Sequence, residues 1–216
     1  MSKLVSALFL TLCVFLVVSA VPVSADVLTN PGFESPVIPA GPPEYYGAGD
    51  GWTSFGGGIY TISSTVGVPP NTGNQLLKTF GGCCSGAFQQ FPASAGQTWN
   101  GGVWMRNDSL DPMAGGQTAA VNIEWIAADG TTQLSFISNG TFTAATAPVN
   151  VWTLNTITGV APAGTGYARL VVITGDFDAA NGGPGGAPFF DDAFFENITP
   201  VSTEQSTWGK IKSLYR

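Results

Sequence analysis

The amino-acid sequence predicts an all-β protein, a two-sheet β-sandwich of the jelly-roll kind, behind a cleaved leader. Three observations predict it. Short apolar stretches rich in Val, Thr, Phe and Trp recur at close intervals, separated by Gly, Pro and Asn, which is the spacing of a sandwich. The 216 residues include 29 Gly and 15 Pro but only 10% charged residues, so the chain is rich in turns and poor in exposed helix faces. No stretch before the C-terminal tail repeats its apolar residues with helical period.

The leader spans residues 1–25. Lys3 supplies a positive start, Leu4 to Val18 is an almost unbroken apolar run, and Val23-Ser24-Ala25 offers small residues at the cleavage positions. A transmembrane helix is the competing reading. Pro22 and the small residues close the run early, and no basic cluster follows it. Cys13 lies inside the run, in Leu-Thr-Leu-Cys, without the small residues that lipoprotein processing wants before the Cys. Cleavage is therefore expected after Ala25, giving a secreted or extracellular chain that begins at Asp26.

Strands are expected at 59–63, 75–79, 87–91, 98–106, 119–126, 131–136, 151–158, 168–173 and 189–197. Alternation assigns faces in two of them. Trp99, Gly101, Val103 and Met105 share one side of their strand, and Asn100, Gly102, Trp104 and Arg106 the other. Val121, Ile123 and Trp125 oppose Asn122 and Glu124 in the same way. The first set in each case is read as core, and Trp99, Trp125 and Trp152 are all assigned there. Two loops are long for plain connectors: 36–51, rich in Pro, Gly and Tyr, and 175–188, which holds Asp176, Asp178 and Asn181. That second loop could form an oxygen cage for a cation, although it lacks the full pattern of a calcium loop.

Charge and residue usage exclude several functions. Between Asp26 and Thr203 the only basic residues are Lys78, Arg106 and Arg169, against thirteen acidic ones. Such a body does not bind nucleic acid, whose phosphates need a basic footprint, but it suits calcium. The chain has no His, which removes the usual catalytic triad and nearly all zinc sites. After cleavage, Cys83 and Cys84 are the only thiols, and they are adjacent. They form either a strained bond with each other or two small side chains in a loop; redox catalysis would want a Cys-x-x-Cys spacing.

Motifs in order along the chain carry a resemblance. Leu28-Thr29-Asn30-Pro31-Gly32-Phe33-Glu34 opens the mature chain, and Gly51-Trp52 follows. Then come Gln89-Gln90-Phe91, Ala95-Gly96-Gln97-Thr98-Trp99 and Gly101-Gly102-Val103-Trp104-Met105-Arg106. Val151-Trp152-Thr153, Gly159-Val160-Ala161-Pro162-Ala163-Gly164 and Ala168-Arg169-Leu170 lead to Phe189-Phe190-Asp191-Asp192-Ala193-Phe194-Phe195-Glu196. Over residues 26–198 this order resembles the galactose-binding-like jelly-roll domains, and in particular the carbohydrate-binding modules of bacterial cellulases and xylanases. The resemblance implies that the first and last strands lie side by side and that a structural calcium joins them, with Glu34 and Asp191 as ligands and Asp192 and Asn30 as further candidates. It also implies sugar binding by aromatic rings, on a sheet face or at the loop tips. A sugar's C–H face stacks on a flat ring while its hydroxyls bond polar neighbours. On the sheet face the candidates are Trp104 and Arg106, with Asn122 and Glu124 beside them if the two strands pair. At the loop tips they are Tyr45, Tyr46, Trp52 and Tyr60.

Residues 199–216 are a Ser/Thr/Pro linker and a tail in which Trp208, Ile211, Leu214 and Tyr215 recur at helical spacing between Lys and Arg. The tail is too short for an isolated helix and reads as a sorting or docking tag for another protein or an envelope surface, or as a frayed terminus. Three functions follow in order: a non-catalytic module that recognises a polysaccharide or surface glycan, a structural surface protein attached by its tail, and a two-carboxylate glycosidase. Binding to a defined polysaccharide separates the first from the second.

Overall fold

A computed structural model of the chain describes residues 25–39, 45–56, 60–62, 67–79, 84–175 and 186–200, with eleven strands and no helix among them. The strands are β1 (Tyr45–Tyr46), β2 (Thr53–Phe55), β3 (Tyr60–Ile62), β4 (Leu77–Thr79), β5 (Ser85–Pro92), β6 (Thr98–Asn107), β7 (Thr118–Ala127), β8 (Gln133–Thr143), β9 (Thr153–Val160), β10 (Thr165–Gly175) and β11 (Pro188–Asn197). They form two antiparallel sheets, one ordered β1-β3-β4-β11-β6-β9 and the other β2-β5-β10-β7-β8. This is the all-β sandwich expected from the spacing of the apolar stretches. The leader, the tail beyond residue 200, Cys83 and the Asp176–Asn181 loop lie outside the described residues. Cys84 is disulfide-bonded.

The core fills the space between the sheets, and alternation decides which side chains enter it. From β6 come Trp99, Val103 and Met105, from β7 Val121, Ile123 and Trp125, from β10 Ala168, Leu170 and Val172, and from β11 Phe190 and Phe195. Phe195 packs its ring 4.7 Å from Trp99 and 6.1 Å from Phe91. Trp152 departs from the expectation. It precedes β9, where no strand alternation governs it, and it is half-buried in a second small cluster with Val68, Leu76 and Phe189, donating its indole N–H to the Pro69 carbonyl at 3.1 Å. That cluster covers the outward side of the six-stranded sheet with residues 67–76.

Two short strands and one long extension were not legible. β1 and β2 are too short to alternate. β8 runs on through Ser138-Asn139-Gly140-Thr141, a polar sequence that reads as loop but lies on a sheet edge. There Asn139 donates to the Thr156 carbonyl of β9 at 2.9 Å, and Ile137 lies against Gly159, so the two edge strands of this flank cover each other.

The segment 26–34 is not a strand, yet it runs beside β11 as the resemblance implied. Val27 donates its N–H to the Phe195 carbonyl at 2.9 Å, Phe195 donates to Asp26 Oδ1 at 3.0 Å, and Ala193 donates to the Pro31 carbonyl at 3.0 Å. Between Asp191 and Phe194 the β11–β6 register slips: Asp191 faces Trp104, and Phe194 faces Gly102. The slip is a β-bulge. Gly102 is required there, since a Cβ would stand 2.5 Å from the Phe194 ring and 2.9 Å from the Asn155 carbonyl. Because Phe195 is fully enclosed, Phe195→Ala is expected to cost roughly 3–5 kcal/mol of folding free energy, read as a lower midpoint in urea denaturation.

Candidate functional site

The bulge builds an acidic corner. Asp192 sits in a left-handed conformation (φ 44°), which brings the consecutive Asp191 and Asp192 carboxylates to the same loop instead of to opposite faces. That loop is Asn71–Gln75. Asp191 Oδ2 accepts the Asn71 and Thr72 N–H groups at 2.7 and 3.2 Å, and Asp192 accepts the Asn71 amide and the Thr72 hydroxyl, each at 2.7 Å. Glu34 Oε1 accepts the Asn74 and Gln75 N–H groups at 2.7 and 2.8 Å. Gly73 must be glycine, because its φ is 63° and a Cβ would meet Glu34 Oε1.

Both aspartate carboxylates and the stem of Glu34 border Gly32. A Cβ built on Gly32 would lie 3.3 Å from Asp192 Oδ1, 3.8 Å from Asp191 Oδ1 and 3.8 Å from Glu34 Cγ. No basic side chain pairs with them among the described residues. Burial, with the Asp192 charge adding to it, pushes the Asp191 carboxyl up to about 7. Asn30 is committed to the adjoining turn: its amide donates to the Ser35 and Asp50 carbonyls and its Oδ1 accepts the Ser35 N–H. Among the described residues no three acidic or sulfur-bearing side chains are gathered tightly enough to grip a metal by themselves. A cation here would draw on one remaining oxygen of Glu34, on Asp191 and Asp192, and on backbone carbonyls.

The four side chains expected to form one sugar platform are divided between the two sheets, which corrects that expectation. β6 and β7 are consecutive but lie in opposite sheets; β6 has β11 and β9 as neighbours, β7 has β10 and β8. Trp104 does point outward, opposite to Val103 and Met105, and is half-buried between Asp191 of β11 and Leu154 of β9. Arg106 is not on an open surface. It is buried, bonded to Asp108 at 2.6 Å and set 6.0 Å from the Trp152 ring. Trp52, a loop-tip candidate, is core: it is buried, its ring lies 5.0 Å from Phe33, and its N–H donates to the Asn30 carbonyl at 3.0 Å. Tyr45, Tyr46 and Tyr60 stand on β1 and β3, and their side chains lie outside the described set.

Asn122 and Glu124 belong instead to a polar and aromatic cluster on the outward face of the five-stranded sheet. In register, one row runs Gln90–Arg169–Glu124–Phe136 and the next Phe88–Val171–Asn122–Ser138. The Arg169 guanidinium lies 4.0 Å above the Phe88 ring. It donates from Nε and Nη2 to Gln90 Oε1, at 3.2 and 2.8 Å, and from Nη1 to Glu124 Oε2 at 3.1 Å. Burial raises the Glu124 carboxyl above its usual range, and Arg169 pulls the other way. Phe136, opposite Glu124, is 56% exposed. Asn122 is 7% exposed, and its Oδ1 has no hydrogen-bond partner.

Sequence reasoning missed Asn71–Asn74 at the acidic corner and Phe88, Gln90 and Arg169 on the sheet. The first group presents only a turn composition, Pro-Asn-Thr-Gly-Asn, whose donors acquire meaning once β11 is beside them. The second was within reach: Arg169 is one of three cations in the body, and a cation alternating with Ala168 and Leu170 has to lie on an outward face.

No protein-family model matches the chain, and no curated protein matches it. Solved structures do. An arabinose-bound family GH51 α-L-arabinofuranosidase is 15% identical with a TM-score of 0.55, over 80% of this chain and 26% of that one. A family 61 carbohydrate-binding module in complex with β-1,4-galactotriose is 16% identical (TM-score 0.47, 81% of this chain, 99% of that one). The CBM22-1 xylan-binding domain from Paenibacillus barcinonensis Xyn10C is 13% identical (TM-score 0.47, 70% and 88%). The chain thus spans about a quarter of the enzyme's length and most of each module's. The likeness to the arabinofuranosidase is one of fold, the two-sheet β-sandwich that the strand spacing implied.

The acidic corner sets a pH dependence. A carboxyl whose folded pKa is raised favours the folded state while protonated, and that contribution is lost as the pH climbs from its ordinary value of 3.8 through about 7. With a chelator present, the melting temperature is expected to fall across that interval, as followed by thermal denaturation in matched-ionic-strength buffers.

Proposed function

We propose that this chain is a secreted, non-catalytic glycan-binding module that takes a polysaccharide or surface glycan on the outward face of its five-stranded sheet and carries a structural calcium at the acidic corner. The observation that carries the reading is the Phe88–Gln90–Glu124–Arg169 cluster beside exposed Phe136. A sugar needs a ring to cover its C–H face and paired donors and acceptors for its hydroxyls, and this face supplies both in fixed positions. Fold alone does not fix function; the chemistry of the face does the selecting.

Binding without catalysis follows from the acids. Glycoside cleavage uses two carboxylates across the scissile bond. Glu124 is the only acid in the five strands of this sheet, and it is ion-paired. At the other site, Glu34, Asp191 and Asp192 would hold calcium, a cation that takes oxygen ligands. When bound, it offsets their mutual repulsion and ties residues 26–34 to β11.

A glycan array probed with the full secreted chain, with and without calcium, tests the proposal; no signal on any glycan rejects it. Phe136→Ala is expected to weaken binding about tenfold, from the loss of roughly 1–1.5 kcal/mol of stacking, while its melting temperature stays near that of the parent because the ring is largely exposed. Loss of binding in Trp104→Ala with Phe136→Ala unaffected would move the site to the six-stranded sheet. Chelation is expected to lower the melting temperature at neutral pH and calcium to restore it, with Glu34→Gln abolishing the restoration. An unchanged melting temperature would remove the ion.

A further inference from the structure

We propose that residues 201–216 fold back onto the outward side of β6, β9 and the end of β11, so that the chain's own tail covers the part of the six-stranded sheet that residues 67–76 leave open. On this side register sets Trp104 beside Leu154, and Phe194 beside Gly102. The Phe194 ring lies over Gly102, where a Cβ would stand 2.5 Å from it. The next row is polar: Asn100 donates its amide to Glu196 at 3.0 Å and accepts the Thr158 hydroxyl at 2.8 Å. The strip then ends on Val160, opposite Thr98, and on Ile198, whose N–H donates to the Thr98 carbonyl at 2.8 Å. Trp104 and Phe194 are half-buried, and Leu154, Val160 and Ile198 are 42%, 60% and 37% exposed. Single exposed apolar residues are ordinary, but a strip that runs along adjoining strands calls for a partner. Its pattern is apolar at both ends with a carboxylate between them.

Position, length and charge point to the tail as the occupant. The chain reaches residue 200 at one end of the strip, where Thr199 Oγ1 accepts the Thr98 N–H at 2.7 Å. From Thr98 to Trp104 the strip is roughly 20 Å long at the rise of a strand. Residues 201–207 can reach about 23 Å when extended, and residues 208–216 as a helix add about 13 Å, so the tail can lie along its whole length. On one side of such a helix stand Trp208, Ile211, Leu214 and Tyr215. A helix this short does not persist in water without a surface for that side. A tether of this length holds the tail at a local concentration on the order of millimolar, so a weak contact is enough to seat it. Lys78, Arg106 and Arg169 are ion-paired with Asp111, Asp108 and Glu124. Outside the leader, the remaining cations of the chain are Lys210, Lys212 and Arg216, all in the tail. Glu196, in the middle of the strip, has no ion pair among the described residues, and the thirteen acids of the body attract a basic segment as a whole.

Amide hydrogen exchange read by mass spectrometry tests this, with the full chain from Asp26 compared with a synthetic peptide of residues 204–216. The amides of residues 208–216 are expected to exchange about tenfold or more slowly in the full chain than in the peptide, at every protein concentration. Leu154→Lys combined with Val160→Lys sets like charge against the tail at two exposed positions. It is expected to return tail exchange to the rate of the peptide while β7 and β10 exchange as in the parent, which shows that the sandwich is still folded. Glu196→Gln is expected to speed tail exchange about twofold to fivefold, the loss of one exposed ion pair. Tail exchange in the parent at the rate of the peptide would overturn the docking and leave the tail to an external partner. Slow tail exchange that the double substitution does not alter would overturn the strip as the docking surface. Slow exchange that is lost on dilution would give the strip to the tail of a second copy and overturn the contact within one chain.

Discussion

Phe189, Phe190, Asp191 and Phe195 of β11 are all fully enclosed, although a strand turns alternate residues to opposite sides. Both faces of this one strand must therefore be covered. The inner face is covered by the opposite sheet, whose Leu170 joins Phe190, Phe195 and the neighbouring Trp99 of β6 in the core. The outer face is covered by residues 67–76, where Phe189 meets Val68 and Leu76 and Asp191 meets the backbone of Asn71 and Thr72. A carboxylate in that position is tolerated because three backbone N–H groups point at it. The bulge at Asp192 then adds a second carboxylate to the same loop, and Glu34 completes the corner from the N-terminal segment.

The two outward faces of the sandwich consequently have different chemistry. The face behind β11 is closed by a loop and concentrates negative charge, with no basic side chain paired to it among the described residues. The face of β5, β10, β7 and β8 keeps its rings and polar groups at the surface and holds its single cation and single carboxylate as a pair. Placing Arg169 and Glu124 side by side removes net charge from the platform while retaining hydrogen-bonding capacity, and the Phe88 ring fixes the plane in which that capacity is presented. On this proposed binding face, groups fixed beforehand reduce the ordering cost of taking a ligand.

The alternation in β6 and β7 was enough to place Trp99, Val103, Met105, Ile123 and Trp125 in the core and to turn Trp104, Asn122 and Glu124 outward. Face is a local property, set by period two along one strand. Sheet membership is not local. Nothing in the sequences of β6 and β7 says that residues 108–117 carry the chain from one sheet to the other, so the supposed partnership of Trp104 with Glu124 dissolves. Arg106 shows a different limit. Its position on the outward side was legible, but Trp152 and Asp108 close over it, and that closure depends on contacts between distant segments. Glu34 and Asp191 were named because motifs at opposite ends of the domain belong together; the loop Asn71–Gln75 that actually meets them carries no pattern of its own.

The flank where Asn139 of β8 reaches the Thr156 carbonyl of β9, with Ile137 against Gly159, has a consequence for how copies of this chain behave toward one another. An open sheet edge displays a row of unmatched N–H and C=O groups, and such a row invites pairing with the same row on a second molecule. Here the terminal strands of the two sheets shield each other, and one of the exposed carbonyls is already taken. On this flank the sandwich gives up the ladder that would seed edge-to-edge polymerisation.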